Sequence, residues 1–263
     1  MNEEELQRIQ VGSKQEMQQG IACLGQGDWH AALSHFDRAV MLREALPWQS
    51  DPDAAWGLAA AWINRSDALR RLEDPRLVPE AIRSLDRGIQ AMGVIPLAEK
   101  PIFVERLILA WLNRATARGD AGEGEGALED FRHAETIFAE WGSTTTSDRR
   151  FLHSMLHVNR ARVLLDLGRS TEGWSDAHAG VAVLRDLEPG EGLIAQAGIR
   201  ARSVLARALA ALIEQEAAAP SSDETRDWIA EATDITEEAL AIVRRTGLAE
   251  PTAADLVRYG AKI

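Results

Sequence analysis

The sequence holds a single cysteine, Cys23, so no disulfide can form within the 263-residue chain. Its place between Ala22 and Leu24 on a helical pattern suits a small core residue rather than a nucleophile, and a cytoplasmic setting is the expectation. Apolar runs are short. The most apolar window, residues 107–112, is far below the roughly 20 residues that a membrane-spanning helix needs, and the opening Met-Asn-Glu-Glu-Glu-Leu has neither the basic start nor the apolar stretch of an export signal. Positive charge is scarce as well. Lysine and arginine number 29 against 41 aspartates and glutamates, for a net charge of −12, which repels nucleic acid and gives no pull toward an anionic membrane. Tyrosine occurs once against eight tryptophans.

Patterns that carry chemistry are equally sparse. There is no Ser/His/Asp or Cys/His spacing signature, no His-Glu-x-x-His and no nucleotide loop. The glycine-rich run at residues 119–126 interleaves four glycines with carboxylates and has no lysine, so it cannot cradle a phosphate and reads as a flexible turn. His153 and His157 stand four apart on an expected helix, a spacing at which two imidazoles can share a metal, but a site needs at least one more ligand. The expectation is a non-catalytic chain with no cofactor and no metal. With 46% hydrophobic and 27% charged residues it should fold unaided.

What the sequence does have is an internal repeat, clearest over residues 27–42. Gly27 and Asp28 stop one helix and cap the next, after which Ala32, Leu33, Phe36, Ala39 and Val40 form the apolar stripe of an amphipathic helix. Aligned on the first small residue, the copies are Ala32-x3-Phe36, Ala81-x3-Leu85, Ala127-x3-Phe131, Ala177-x3-Val181 and Ala232-x3-Thr236. Upstream, three segments share a core: Trp62-Ile63-Asn64-Arg65-Ser66, Trp111-Leu112-Asn113-Arg114-Ala115 and His157-Val158-Asn159-Arg160-Ala161. A small residue stays in register in all five copies, at Gly20, Ser66, Ala115, Ala161 and Ser203, where the two helices of a hairpin would cross.

The Gly-Asp-aromatic turn and the Ala-x3-Phe step resemble the tetratricopeptide repeat (TPR) family over residues 5–246. The spacing of 46 to 55 residues between copies exceeds the family's period of about 34, which points to longer helices and loops. The resemblance implies an all-α fold: one right-handed α-solenoid domain, 1–263, of about five helix-turn-helix repeats at 5–46, 51–92, 98–142, 148–187 and 193–246, with a C-terminal capping helix at 250–260. Eleven helices are expected. Trp29, Trp62, Trp111 and Trp174 occupy repeat positions where the family carries a large aromatic, which implies a core role.

By the same resemblance, the first helix of each pair lines a concave groove, and the partner is a peptide or protein. The groove positions are Lys14, Met17 and Ile21; Ile63, Asp67, Arg70 and Arg71; Leu112, Thr116 and Asp120; Arg162 and Asp166; and Arg200, Val204 and Arg207. Asn64, Asn113 and Asn159 resemble the asparagine with which co-chaperones of this family hold a peptide backbone, and Lys14 and Asn64 match that clamp in part, but Gln18 stands where a first asparagine is expected and Leu109 and Asn113 where the third unit should bring two cations, so the clamp is incomplete. A groove less negative than the rest of the chain suits an acidic or C-terminal peptide. The competing reading is that these arginines are solvated or paired with nearby aspartates. Arg65, Arg114, Arg160 and Arg202 read as structural bridges between adjacent units. Structural self-assembly into a homo-oligomer, and service as an accessory subunit of an enzyme, stand as alternatives to the groove-binding module.

Overall fold

The structure is a computed structural model that describes residues 2–97, 101–141, 146–185, 187, 192–216 and 223–247. Among these residues there are ten α-helices, two short 3-10 turns and no strand. The helices are α1 (Glu3–Gln26), α2 (Trp29–Glu44), α3 (Pro52–Arg71), α4 (Val78–Met92), α5 (Val104–Asp120), α6 (Gly124–Trp141), α7 (Ser147–Asp166), α8 (Ser170–Arg185), α9 (Leu193–Glu216) and α10 (Asp223–Thr246). The expected capping helix at 250–260 lies outside the described residues. The chain divides into two compact units, Met1–Ile137 and Phe138–Ile263. No described helix is long and apolar enough to cross a membrane.

The helix ends follow from local chemistry. Asn2 accepts a hydrogen bond from the Glu5 amide at 2.8 Å, and Glu3, Glu4 and Glu5 lie in the first turn of α1, where the helix dipole favours negative charge. Gly27, at φ 79°, closes the other end while the Asp28 amide reaches back to the Cys23 carbonyl. Asp28 then caps α2, Asp51 caps α3 with Pro52 in its first turn, and Thr146 caps α7. Two further boundaries have causes of their own. Residues 75–77 form a 3-10 turn ahead of α4, because Pro79 has no N–H to offer the Pro75 carbonyl four residues back. The glycine-rich stretch is shorter as a turn than its composition implies. Gly122, at φ 79°, makes the bend, the Glu123 amide bonds the Arg118 carbonyl at 2.8 Å, and α6 starts at Gly124.

In the first unit, α1 packs on α2, α2 on α3, α3 on α4 and α4 on α5. Ala32, Phe36, Ala39 and Val40 share a core with Met17, Ala61 and Ala68. Gly20 lies so close to Phe36 that a Cβ there would stand 2.6 Å from the ring. Ser66 and Ala115, the next two small residues in register, are buried, as are Ala81, Leu85, Ala127 and Phe131.

In the second unit α7 packs on α8, α8 on α9 and α9 on α10, with a further contact between α7 and α9. Val158, Ala161, Ala177, Val181, Leu184, Ala201, Leu205, Leu209, Ala232 and Ile235 form its main core. The fifth copy departs from the pattern. Thr236 is half-buried and turns its hydroxyl to the Ala232 carbonyl at 2.8 Å, so Ile235 fills the core beside Ala232 instead.

Two stability outcomes follow from this register. Phe131 is fully buried, and Phe131→Ala should cost about 3–5 kcal/mol in chemical denaturation. Ser66 is buried with no hydrogen-bond partner for its hydroxyl, at a place where other copies carry Ala115 and Ala161. Ser66→Ala should therefore raise stability by about 1 kcal/mol. A lowered denaturation midpoint for that variant would contradict the packing described.

Candidate partner-binding surface

Arginines placed one residue before the small crossing residue tie the helices together. Arg65 of α3 donates to Asp37 of α2 at 2.6 Å and, on its other side, to Ser84 at 2.7 Å and to Glu80 of α4. Arg114 of α5 repeats this: it donates to Asp86 of α4 at 2.6 Å and grips Asp130 of α6 with two bonds of 2.9 and 2.7 Å. Asp37 and Asp86 each stand five residues after a register alanine, Ala32 and Ala81. Asp130 is fully buried and takes a further bond from Arg118 at 2.9 Å. In the second unit Arg160 grips Asp176 of α8 at 2.6 and 2.8 Å, and His157 adds a 2.9 Å contact to the same carboxylate. Arg202 of α9 and Arg185 of α8 both bond Glu238 of α10. Bidentate geometry in a partly dry setting makes these charge-assisted bonds strong and directional.

Tryptophans sit at the edges of this framework rather than deep in the core. Arg65 lies over Trp62 at 5.6 Å, Arg71 over Trp29 at 5.1 Å and Arg114 over Trp111 at 4.5 Å, with His133 stacked on Trp111 at 4.4 Å. Each of those tryptophans is half-buried, as is Trp174, whose ring packs on the core of the second unit.

Most of the expected groove and clamp residues fall into four groups. Met17, Leu112 and Thr116 are core rather than surface, because the turns that carry them face the paired helix, and the Thr116 hydroxyl donates to the Leu112 carbonyl. Several cations are joined to aspartates of the same set: Arg71 to Asp67 at 3.0 Å along α3, Arg70 of α3 to Asp120 of α5 at 3.3 Å, and Arg207 of α9 to Asp166 of α7 at 2.6 Å. Lys14 is exposed on α1, Asn64 and Asn113 are half-buried on α3 and α5, and Arg162 is half-buried on α7. Arg70 and Asp120 also line a cleft of about 260 Å³ with Glu73, Asp74 and Val78, in which carboxylates outnumber the one cation.

Asn159 and Arg200 are brought together. Both line a cavity of about 180 Å³ in the second unit, between α7 and α9 over Leu184 of α8. Phe151, Met155 and Val158 supply one wall and Leu193 and Ala197 the other. The sequence shows these apolar residues only as helix stripes, indistinguishable from core, so the cavity itself carries no sequence signal. His153 and His157 meet edge to face with ring centroids 4.6 Å apart, and among the described residues no group of three His, Cys, Asp or Glu side chains could hold a metal ion.

No protein-family model matches the chain. No curated protein matches it either. Among solved structures it is similar to the Q17M form of a putative kinesin light chain of nearly identical TPR-like repeats from Podosopora anserina, at 16% identity, with 88% of this chain and 94% of that one covered and a TM-score of 0.61. A second solved structure, of Podosopora anserina putative kinesin light chain nearly identical TPR-like repeats, gives 16% identity, coverage of 88% of this chain and 95% of that one, and a TM-score of 0.59. At that identity the likeness shows the fold.

The Asp176 carboxyl offers a test of the bridges. Burial pushes its pKa up, but the hydrogen bonds and charges of Arg160 and His157 outweigh that and hold it below the ordinary aspartate value. A carboxyl depressed in the folded state adds stability that is present above its unfolded pKa and lost as pH falls through the folded value. Asp176→Asn should therefore be less stable than the parent at pH 7, with the gap closing as the pH drops through and below the ordinary aspartate range. A gap that stays constant down to strongly acid pH would show that the carboxylate charge is not what Arg160 and His157 hold.

Proposed function

On a chain with a TPR-like fold, we propose a non-catalytic interaction module that binds a peptide or protein partner on the face formed by the first helices of its repeats. The observation that carries this reading is the cavity between α7 and α9, where an apolar wall, the Asn159 amide and the Arg200 guanidinium converge. Repeat proteins of stacked helix pairs generally bind partners on the surface their first helices line, and a small apolar recess with a few polar groups is the form a side-chain anchor site takes. Arg162 and Arg207 extend the contact surface along α7 and α9. Lys14, Asn64, Asp67, Arg70, Arg71 and Asn113 are the corresponding candidates in the first unit, where ion pairing within the chain tempers the charge of Arg70 and Arg71. An acidic partner in the cytoplasm fits a surface less negative than the rest of a chain of net charge −12.

The reading is tested by affinity capture from the source cytosol with three proteins: the parent, a Met155→Glu, Arg200→Glu double variant, and Met41→Glu as a control on the exposed surface of α2. The expected result is a partner captured by the parent and the control, in a salt-sensitive manner, and lost by the double variant, with helicity unchanged in all three. Intact capture by the double variant would overturn binding at this surface. Light scattering that shows a dimer or larger, with no other partner captured, would favour self-assembly instead.

A further inference from the structure

A cleft of about 470 Å³ in the second unit is bounded by α8, α9 and α10 and lined by Arg185, Arg202, Glu238, Ala241, Ile242 and Arg245. It shares no residue with the cavity between α7 and α9. Three guanidinium groups against one carboxylate leave two positive charges in it, on a chain whose net charge is −12. The three cations are not equivalent. Arg202 is 2% exposed and donates to Glu238 at 3.0 Å and to the Gly198 carbonyl at 3.1 Å, so it fixes the carboxylate rather than meeting a ligand. Arg185 bonds the other oxygen of Glu238 through Nη2 at 2.7 Å, and its half-exposed side chain keeps Nη1 and Nε for a second partner. Arg245 is exposed, and its side chain bonds no described residue. Arg185 and Arg245 each stand in the last turn of a helix, where the dipole favours a cation. The dipole explains a positive charge at each helix end, but not the meeting of both on one cleft beside a carboxylate that Arg202 already neutralises.

Charge and lining restrict the ligand. A carboxylate offers one negative charge, whereas a phosphate monoester above its second pKa of about 6 offers nearly two, with three acceptor oxygens, which complements a pair of forked guanidiniums. Ala241 and the buried Ile242 form an apolar floor that strengthens charge pairing above it and suits an aliphatic stem better than the hydroxyls of a sugar. The lining has no aromatic ring on which a nucleobase could stack. A polyanion or an anionic membrane is repelled by the charge of the whole chain, while one isolated phosphate in the cleft responds chiefly to groups within a Debye length, about 10 Å at 0.1 M salt. We infer that this cleft holds the phosphate of a single phosphoserine or phosphothreonine in a segment of a partner protein, gripped by Arg185 and Arg245, with Arg202 and Glu238 fixing the place of Arg185.

The probe is a short peptide of glycine and alanine, capped at both ends, with one central phosphoserine, titrated to millimolar concentration into isotope-labelled protein at low salt and followed by NMR. The expected result is a shift of the Arg185 and Arg245 Nε–H signals, with binding weakened about tenfold by Arg245→Gln and unchanged by Arg8→Gln, which removes the same charge from an exposed position on α1. Arg245 is exposed in the last turn of α10, so its replacement should leave the helicity as it was. Binding should also weaken as the pH falls through about 6 and the phosphate loses its second charge. No shift at millimolar peptide, equal binding of a peptide with glutamate in place of phosphoserine, or an equal loss in Arg8→Gln would each overturn the proposal. Inorganic phosphate bound as tightly as the peptide would do so by reducing the cleft to a site for the free ion. Vesicles of phosphatidic acid bound in an Arg245-dependent manner, with no binding of the peptide, would do so by assigning the cleft to a membrane.

Discussion

Everything in this fold depends on how closely two helices can approach where they cross. A residue with almost no side chain stands at that point in every copy: Gly20, Ser66, Ala115, Ala161 and Ser203, all buried. In the first copy the Phe36 ring fills the space that Gly20 leaves, and in the fourth Gly180 gives the same freedom to Val158, since a Cβ there would stand 2.7 Å from that side chain. Interiors packed to this density do not absorb an extra methyl without displacement. The crossing therefore sets the register of the whole hairpin.

The position just before the crossing inherits a defined place. Arg65 and Arg114 stand there between the second helix of the preceding repeat and that of their own, and their long, forked side chains reach carboxylates on both. Arg160 and Arg202 occupy the same register and close on Asp176 and Glu238. Two positions before the crossing stand Asn64, Asn113 and Asn159, and only the last is buried, where α7, α8 and α9 close around the cavity. One geometric constraint thus places the apolar core, the ion-pair bridges and the amide that faces the candidate site.

Much of this is legible in the sequence. The small-residue register, the Asp28 cap and the bridging arginines rest on local chemistry and periodicity, and the all-helical class follows from them. The surface is harder to read. Repeat register assigns residues such as Met17 and Leu112 to it, yet helix rotation places them inside, and a one-position error on a helix turns a side chain by about 100°. The pairing of Arg70 with Asp120 and of Arg207 with Asp166 joins residues 50 and 41 apart, a relation that no local pattern encodes. The cavity is less visible still, because it is a gap between helices rather than a property of any one of them.

The most direct measurement is a double-mutant cycle at the first crossing, with Gly20→Ala, Phe36→Leu and the pair compared by chemical denaturation. If the glycine and the ring share one volume, Gly20→Ala should be clearly destabilising alone and much milder in the Phe36→Leu background, where the smaller side chain leaves room for the added methyl, for a coupling of about 1 kcal/mol or more. Strictly additive effects would contradict the account, because they would mean that the small residue is not there to admit the ring.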